Sequence, residues 1–202
     1  MKKLFAILMA AVLLLGCASA VAEGEPQEIE VNGSFRVTYQ VPDGYVVESE
    51  FSDDKSIFWA TMYPKASAED KTPLRTGLNM IVGISYDDTS NGASINDYSD
   101  EEIRKNHQAE LDAAGYENAT FDIVLTNFGT KLIVDRIRDD NSESLVITSL
   151  WKGYVINAIA FYANEDDDTL PVTDAQAKTI VDFISNIWMF EGGEVKEEKP
   201  AQ

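Results

Sequence analysis

Four apolar segments in the second half of the chain, joined by short polar connections, restrict the fold more than any other feature. They read TFDIVLTN, TKLIVDRIR, SLVITSLW and YVINAIAFYA. Two strands that pair in parallel need a crossover of roughly a dozen residues or more, so short connections require antiparallel neighbours. The sequence therefore predicts four consecutive antiparallel strands, with RDDNSES as the turn between the second and the third.

The shortest of these connections consists of Lys152 and Gly153, which separate Trp151 from Tyr154. Two-residue hairpin turns favour backbone conformations with positive φ, which glycine adopts without strain. We therefore predict a tight two-residue hairpin at this point.

The first half of the chain also has the pattern of strands. In FRVTYQV, apolar and polar residues alternate, so that Phe35, Val37, Tyr39 and Val41 share one face. YVVESEF and SIFWATMYP are further strand candidates. GLNMIVGISY is almost continuously apolar, which predicts a central strand covered on both faces.

Two amphipathic helices interrupt and end the strand pattern. Ser99 and Glu102 form a capping box that opens the helix DEEIRKNHQAELDAA, and Gly115 stands where that helix should stop. Thr173 and Gln176 form a second capping box near the C-terminus. The apolar stripe of the C-terminal helix is predicted to consist of Ala177, Ile180, Val181, Ile184, Ile187 and Trp188. Because the sheet is the large partner for this stripe, we expect folding to require this helix.

The order of strands, helix, strands and helix predicts the α+β class, with one mid-chain helix and one C-terminal helix. FRVTYQVPDGY resembles the PsbP-like family, whose members often start with an aromatic-rich strand that runs into a similar turn. AKTIVDFISNIWMF resembles the C-terminal helix of that family. The resemblance implies an α/β/α sandwich with a central, mainly antiparallel sheet of about six to eight strands. It implies neither a function nor any site residue, because the family has no single function.

The N-terminus has the order of an export signal. Two lysines precede an apolar stretch at residues 4–15, which is too short to span a bilayer because about 20 residues are needed. Ala20-Val21-Ala22 fits the rule for ordinary signal peptidase, so residues 1–22 are predicted to be a signal peptide. No other segment is apolar enough to predict a membrane span.

A second cleavage site competes with the first. Leu14-Leu15-Gly16-Cys17 resembles a lipobox, and cleavage before Cys17 would leave that residue lipidated and the protein tethered to a membrane. Behind the leader we predict a single α+β domain at residues 29–190 and a disordered acidic tail at residues 191–202.

The charge of the chain excludes one class of partner. The 202 residues include 16 basic and 35 acidic side chains, for a net charge of −19. Removal of residues 1–22 takes away two lysines and no acid, which leaves 14 basic against 35 acidic residues and a net charge of −21. Such a surface repels phosphates, so nucleic acid is not an expected partner.

Little in the composition predicts catalysis or a cofactor. The chain has one histidine and one cysteine, too few for an ordinary zinc site or a cysteine–histidine dyad. His107 lies on the stripe of the mid-chain helix and is predicted to pack at the sheet edge. Acidic pairs at residues 87–88 and 139–140 and the run Asp166, Asp167 and Asp168 are predicted to lie in loops. The last three are weak calcium candidates, against the simpler interpretation of a solvated turn.

The aromatic residues are the remaining candidates for a binding surface. Trp59 belongs to an aromatic-rich strand, and Trp151 and Tyr154 flank the predicted hairpin. Core packing is the simpler interpretation of all three. The functional interpretation is a surface that binds a peptide or a sugar, which exposure of either tryptophan would favour.

These observations favour a non-enzymatic, exported domain of the bacterial envelope or extracellular space that binds a protein or another partner. The alternatives are a hydrolase that works through carboxylates and a lipid-anchored accessory subunit. No catalytic residue, cofactor or metal is predicted, apart from the weak calcium candidates.

Overall fold

The computed structural model describes residues 19–21, 26–31, 35–52, 57–67, 76–116, 118–139, 142–163 and 169–191. Cys17, the three aspartates of the 166–168 run and residues 192–202 lie outside these ranges. Within the described ranges, neither α-helix is long and apolar enough to cross a membrane.

A nine-stranded antiparallel sheet forms the centre of the protein. Its strands are β1 (Ser19–Val21), β4 (Tyr45–Phe51), β5 (Ile57–Pro64), β6 (Gly77–Tyr86), β7 (Thr120–Leu125), β8 (Lys131–Asp139), β9 (Ser142–Trp151), β10 (Tyr154–Ala163) and β11 (Thr169–Leu170). They are ordered β1-β4-β5-β6-β10-β9-β8-β7, and the short β11 pairs with β10. The seven longer strands, which follow one another in space as β4-β5-β6-β10-β9-β8-β7, match the predicted sheet. The antiparallel pairing of β7 with β8, β8 with β9 and β9 with β10 confirms the four consecutive strands that the sequence predicts.

A smaller antiparallel sheet lies apart from the central one, and the sequence patterns did not predict it. It consists of β2 (Pro26–Val31), β3 (Phe35–Gln40) and β12 (Trp188–Glu191), with β3 in the middle. This part of the chain contributes three buried residues to the main core, namely Val37, Tyr39 and Val41. The Tyr39 ring packs edge-on against Phe183, 6.0 Å between centroids.

Two α-helices in the described residues cover opposite faces of the central sheet. They are α1 (Asp100–Ala114) and α2 (Asp174–Ser185), and the short 3-10 helices are Lys65–Ser67, Asp88–Ser90 and Ile95–Asp97. Both α-helices begin with the predicted capping boxes, and Gly115 ends α1 in the left-handed conformation at φ 78°. The α+β class with a helix on each face of a central sheet is confirmed.

The predicted end of the C-terminal helix is wrong by several residues. The helix ends at Ser185, and the Asn186 N–H bonds back to the carbonyls of Asp182 and Phe183. Trp188 instead begins β12 and pairs with Thr38 of β3. The free edge of β3 accounts for this difference, because a ladder with another part of the chain overrides a local helical pattern.

The predicted turn RDDNSES is also too long. Asp139 is the last residue of β8 and pairs with Ser142, the first residue of β9, so that the connection consists of residues 140–141. Two ion pairs extend the strands, since Glu143 accepts hydrogen bonds from Arg136 Nη1 at 2.7 Å and Arg138 Nε at 2.6 Å. Glu143 is buried and both arginines lie across the ladder from it, which holds the hairpin together to its tip.

The two-residue hairpin at Lys152-Gly153 is confirmed. Both residues have positive φ, at 47° and 86°, between the paired Trp151 and Tyr154. A side chain at Gly153 would also meet Tyr86 Cε2 at 2.5 Å. The position therefore needs glycine for its conformation and for the close approach of a neighbour.

Candidate functional site

The register of the central sheet assigns every strand residue to one of two faces. The inner face carries α2 and the smaller sheet, and its residues Phe58, Met62, Met80, Ile84 and Ile147 are buried in the main core. The outer face carries α1. Directly opposed residues of neighbouring strands share a face, so the ladders define the rows of side chains that cross the sheet.

Helix α1 covers one part of the outer face. Ile103 of the helix and Ile95 before it are buried against Ile133 of β8, with Phe121 and Ile123 of β7 packed beside them. Leu150 of β9 packs at the border of this cluster. The helix thus lies over β7 and β8, at one end of the sheet.

Between α1 and the buried pair of Asn79 and Phe161, the outer face has no described helix or strand above it. We call this surface the open face. It consists of Ile57, Trp59, Thr61, Ile81, Gly83, Ser85, Val146, Thr148, Val155, Asn157 and Ile159. Its large aliphatic side chains are half-buried, whereas Asn157 is exposed. A contiguous, partly exposed apolar surface rimmed by polar groups is a common sign of an interaction site.

Trp59 lies in the middle row of the open face. The register places Glu50, Trp59, Gly83 and Asn157 side by side on four neighbouring strands. The indole ring lies directly over Gly83, where an added Cβ would come within 2.6 Å of Trp59 Cζ3. The lack of a side chain at Gly83 therefore lets the ring approach the backbone closely, and the half-buried ring keeps contact with solvent.

The polar side chains around Trp59 are acidic or uncharged. Glu48 and Glu50 of β4 border the face, and Glu48 accepts a hydrogen bond from the Tyr63 hydroxyl. Thr148 Oγ1 donates to Asn157 Oδ1 at 3.3 Å on the other side. Among the described residues that form the open face there is no lysine or arginine.

The other predicted aromatics lie on the opposite face of the sheet. Trp151, Tyr154 and Tyr86 form a row at the hairpin end, with centroids 6.3 Å and 5.0 Å apart. Tyr154 packs against the main core. Trp151 is half-buried and has the Lys152 Nζ atom 5.2 Å from its ring. The structure therefore does not bring Trp59 together with Trp151 and Tyr154.

A small cavity of about 130 Å³ lies beside Trp151. Its apolar lining comes from Phe128, Leu132, Ile156, Ile184 and Ile187, together with two threonines of the β7–β8 turn. It lacks charged lining residues and is smaller than ordinary ligand pockets, which measure roughly 300–1,000 Å³. The hairpin aromatics therefore close the end of the core.

His107 forms the most deeply buried polar contact of α1. Its Nε2 atom lies 2.6 Å from Asp135 Oδ1, and its ring packs edge-on against Phe121 with centroids 4.8 Å apart. This position confirms a histidine packed near the sheet edge. Nδ1 lies 3.5 Å from Glu110, so both ring nitrogens face carboxylates rather than a nucleophile.

Asp135 was missed by the sequence analysis. Burial raises the pKa of its carboxyl above the ordinary value of 3.8, while the hydrogen bond and charge of His107 act in the opposite direction. The alternation of TKLIVDRIR was the available signal, because it places Asp135 on the same face as Ile133. A strand aspartate on an apolar face needs a partner, and His107 supplies it.

The acidic loop residues do not assemble into a metal site in the part of the chain that is described. Asp87 caps a 3-10 helix and accepts hydrogen bonds from Thr89, which lowers the pKa of its carboxyl. Nowhere in the described ranges do three or more histidine, cysteine or acidic side chains group as metal ligands would.

Comparison with known proteins identifies no relative. No protein-family model matches the chain, and neither a curated protein nor a solved structure matches it at a significant level. The properties of the open face are therefore the basis for a function.

Proposed function

We propose that this protein is an exported, non-enzymatic domain of the bacterial envelope or extracellular space, and that it binds a protein partner through the open face. The observation that carries the proposal is the position of Trp59. A large aromatic ring packs closely against Gly83, in the middle of an apolar surface without a described element above it. Tryptophans in such settings contribute heavily to binding.

The chemistry of the partner follows from the charges around Trp59. Glu50 is the direct cross-strand neighbour of Trp59, and the described face has no basic residue. A lysine or arginine of the partner could stack on the indole and face the acids of β4, which combines a cation–π contact with charge attraction. The partner should therefore present a basic side chain among apolar ones. The glutamates of β4 and the lack of a basic residue on the described face disfavour a second copy of this chain on the same surface.

The fold and the leader support the cellular setting. The order of elements and the helix on each face of the sheet agree with what the PsbP-like resemblance implies, and we propose kinship at the level of the fold. The leader sequence supports export, with release after Ala22 as the proposed fate and a lipid tether on Cys17 as the alternative. Release after Ala22 would remove β1 and leave β4 as the last strand at that end of the central sheet.

The first experiment identifies the partner from the surface itself. A photo-crosslinking amino acid at position 157, which is exposed on the open face, should capture one protein in extracts of the producing cells. The same group at position 98, whose side chain is 44 % exposed outside the open face, serves as the matched control. Identical adducts from both positions, or only adducts between copies of this chain, would contradict the proposal.

The second experiment measures the purified pair by calorimetry. We expect Trp59→Ala to weaken binding by about tenfold or more, as truncation of an anchoring aromatic residue does, and Tyr98→Ala to have no effect. Asn157→Arg should abolish binding while Asn157→Asp preserves it, because the first change opposes a basic partner. Equal losses for the two Asn157 variants would refute the electrostatic part of the argument.

A further inference from the structure

The central sheet ends at β1 on one side and at β7 on the other. Strand β7 is last in the order and pairs with β8 along one side. No described residue pairs with its other side. An unpaired strand edge presents backbone donors and acceptors to any extended chain that reaches it.

The β7–β8 hairpin determines which backbone groups point outward. Its turn closes with a hydrogen bond from Thr126 N–H to the Thr130 carbonyl at 2.8 Å. Hydrogen-bonded pairs alternate along an antiparallel ladder, so Val124 and Asp122 bond inward to β8. The N–H and C=O groups of Phe121, Ile123 and Leu125 consequently point away from the sheet.

Strand β7 lacks most of the features that protect natural sheet edges. Thr120–Leu125 contains no proline and no lysine, and its register with β8 runs without a bulge. Leu125 is 64 % exposed, the largest value among the exposed hydrophobic residues of the described chain. Ile123 is half-buried beside it. Such an edge favours strand addition.

We propose that β7 is a self-association edge, where two copies of the chain join their central sheets by antiparallel β7–β7 pairing about a two-fold axis through Ile123. This register places Ile123 opposite its own counterpart and Phe121 opposite Leu125 of the second copy. All the outward-pointing backbone groups then pair with one another. The exposed Leu125 gains an aromatic neighbour on the same face of the extended sheet.

The same register also determines where the charge of the strand lies. Asp122, the charged residue of β7, lies opposite Val124 of the second copy and not opposite its own counterpart. It faces the groove between β7 and α2, a space of about 250 Å³ with Arg136 and Lys178 in its lining. These basic side chains belong to the same copy as the aspartate, and the net charge of the whole chain opposes association.

Analytical ultracentrifugation of the processed protein tests this proposal. We expect a reversible dimer that is strengthened by added salt, because screening weakens the repulsion between acidic copies. Leu125→Lys should weaken the dimer by about tenfold or more, since it places a charge on the edge. Leu170→Lys, at an exposed leucine of β11, is the matched control and should leave the dimer unchanged.

A cross-link then tests the register. In a Cys17→Ala background, Ile123→Cys should form a disulfide-linked dimer on oxidation, because directly opposed residues lie within disulfide reach. Leu170→Cys should not. A single-chain mass at the highest concentration, a dimer unaffected by Leu125→Lys, or binding of a foreign peptide instead of a second copy would overturn the proposal. Trp59→Ala should leave the dimer intact, so this proposal and the proposed function fail independently.

Discussion

The two sides of strand β6 differ in how deeply their side chains are buried. On the inner side, Met80, Val82 and Ile84 are fully buried under α2 and the smaller sheet. On the outer side, Ile81 and Ser85 are half-buried, with no described element above them. The two sides also differ in sequence, because the outer side carries Asn79, Gly83 and Ser85 where the inner side is wholly apolar. An apolar strand face that no described part of the chain covers is a surface that another molecule can cover.

Removal of α2 should uncover the inner face and unfold the domain. A chain that ends after Ala163 loses Ile180, Phe183 and Ile184, which are buried in the main core. Each such side chain contributes about 1.5–3 kcal/mol when fully buried, and the net stability of a domain is only about 5–15 kcal/mol. We expect no cooperative thermal unfolding of this truncated chain by circular dichroism. A chain that ends at Glu191 is the control and should melt like the full protein.

Single substitutions should reveal the same asymmetry at smaller scale. Ile184→Ala, on the helix that covers the inner face, should lower the free energy of unfolding by about 3–4 kcal/mol because it opens a cavity in the core. Ile81→Ala, on the open face, should cost about 1 kcal/mol, in the range of partly exposed positions. Denaturant titrations measure both values, and equal losses would mean that something covers the open face.

The part of the outer face under α1 has its own test. His107→Ala leaves the buried Asp135 without its 2.6 Å partner and should cost about 2 kcal/mol at neutral pH, as an unsatisfied buried group does. Asp135→Asn keeps a neutral hydrogen bond to the ring and should cost less. A larger loss for Asp135→Asn would contradict the role of His107 as the partner of a buried carboxyl.

The pH dependence of stability shows whether burial of Asp135 or its ion pair with His107 has the larger effect. Burial raises the pKa of Asp135 above 3.8, so between pH 3.8 and the raised pKa the folded protein holds a proton that the unfolded chain has released. The contribution of Asp135 to the free energy of unfolding therefore falls as the pH rises through this window. Subtracting the Asp135→Asn profile from the wild-type profile isolates it. A difference that instead grows with pH would show that the ion pair, and not burial, dominates.

Trp59→Ala should have an effect on folding as small as that of Ile81→Ala. Because the ring is half-buried outside the core clusters, we expect a loss of about 1 kcal/mol in the free energy of unfolding. The same variant should lose most of its partner binding, a contrast that a core tryptophan cannot give. A loss as large as that of Ile184→Ala would assign Trp59 to the core.

The parts of this fold that depend on neighbouring residues were predictable, and those that depend on distant pairing were not. Capping boxes and the Lys152-Gly153 turn act within a few residues, so the sequence alone locates them. The change from helix to strand before Trp188 depends on β3, which lies about 150 residues earlier in the chain. Likewise, the sequence identifies Trp59 as a candidate, but its contact with Gly83 could not be predicted without the register between β5 and β6.

The smaller sheet also determines how the protein would respond to a pulling force. Pro26, where β2 begins, pairs with Gln40, while Glu191, where β12 ends, pairs with Phe35 at the other end of β3. Tension applied through the two flanking strands would therefore act along them in opposite directions and load both ladders in shear. The hydrogen bonds would have to yield together rather than one after another. We expect single-molecule pulling between these two residues to meet higher resistance than pulling that peels β12 from β3, which would give the smaller sheet the role of a mechanical clamp.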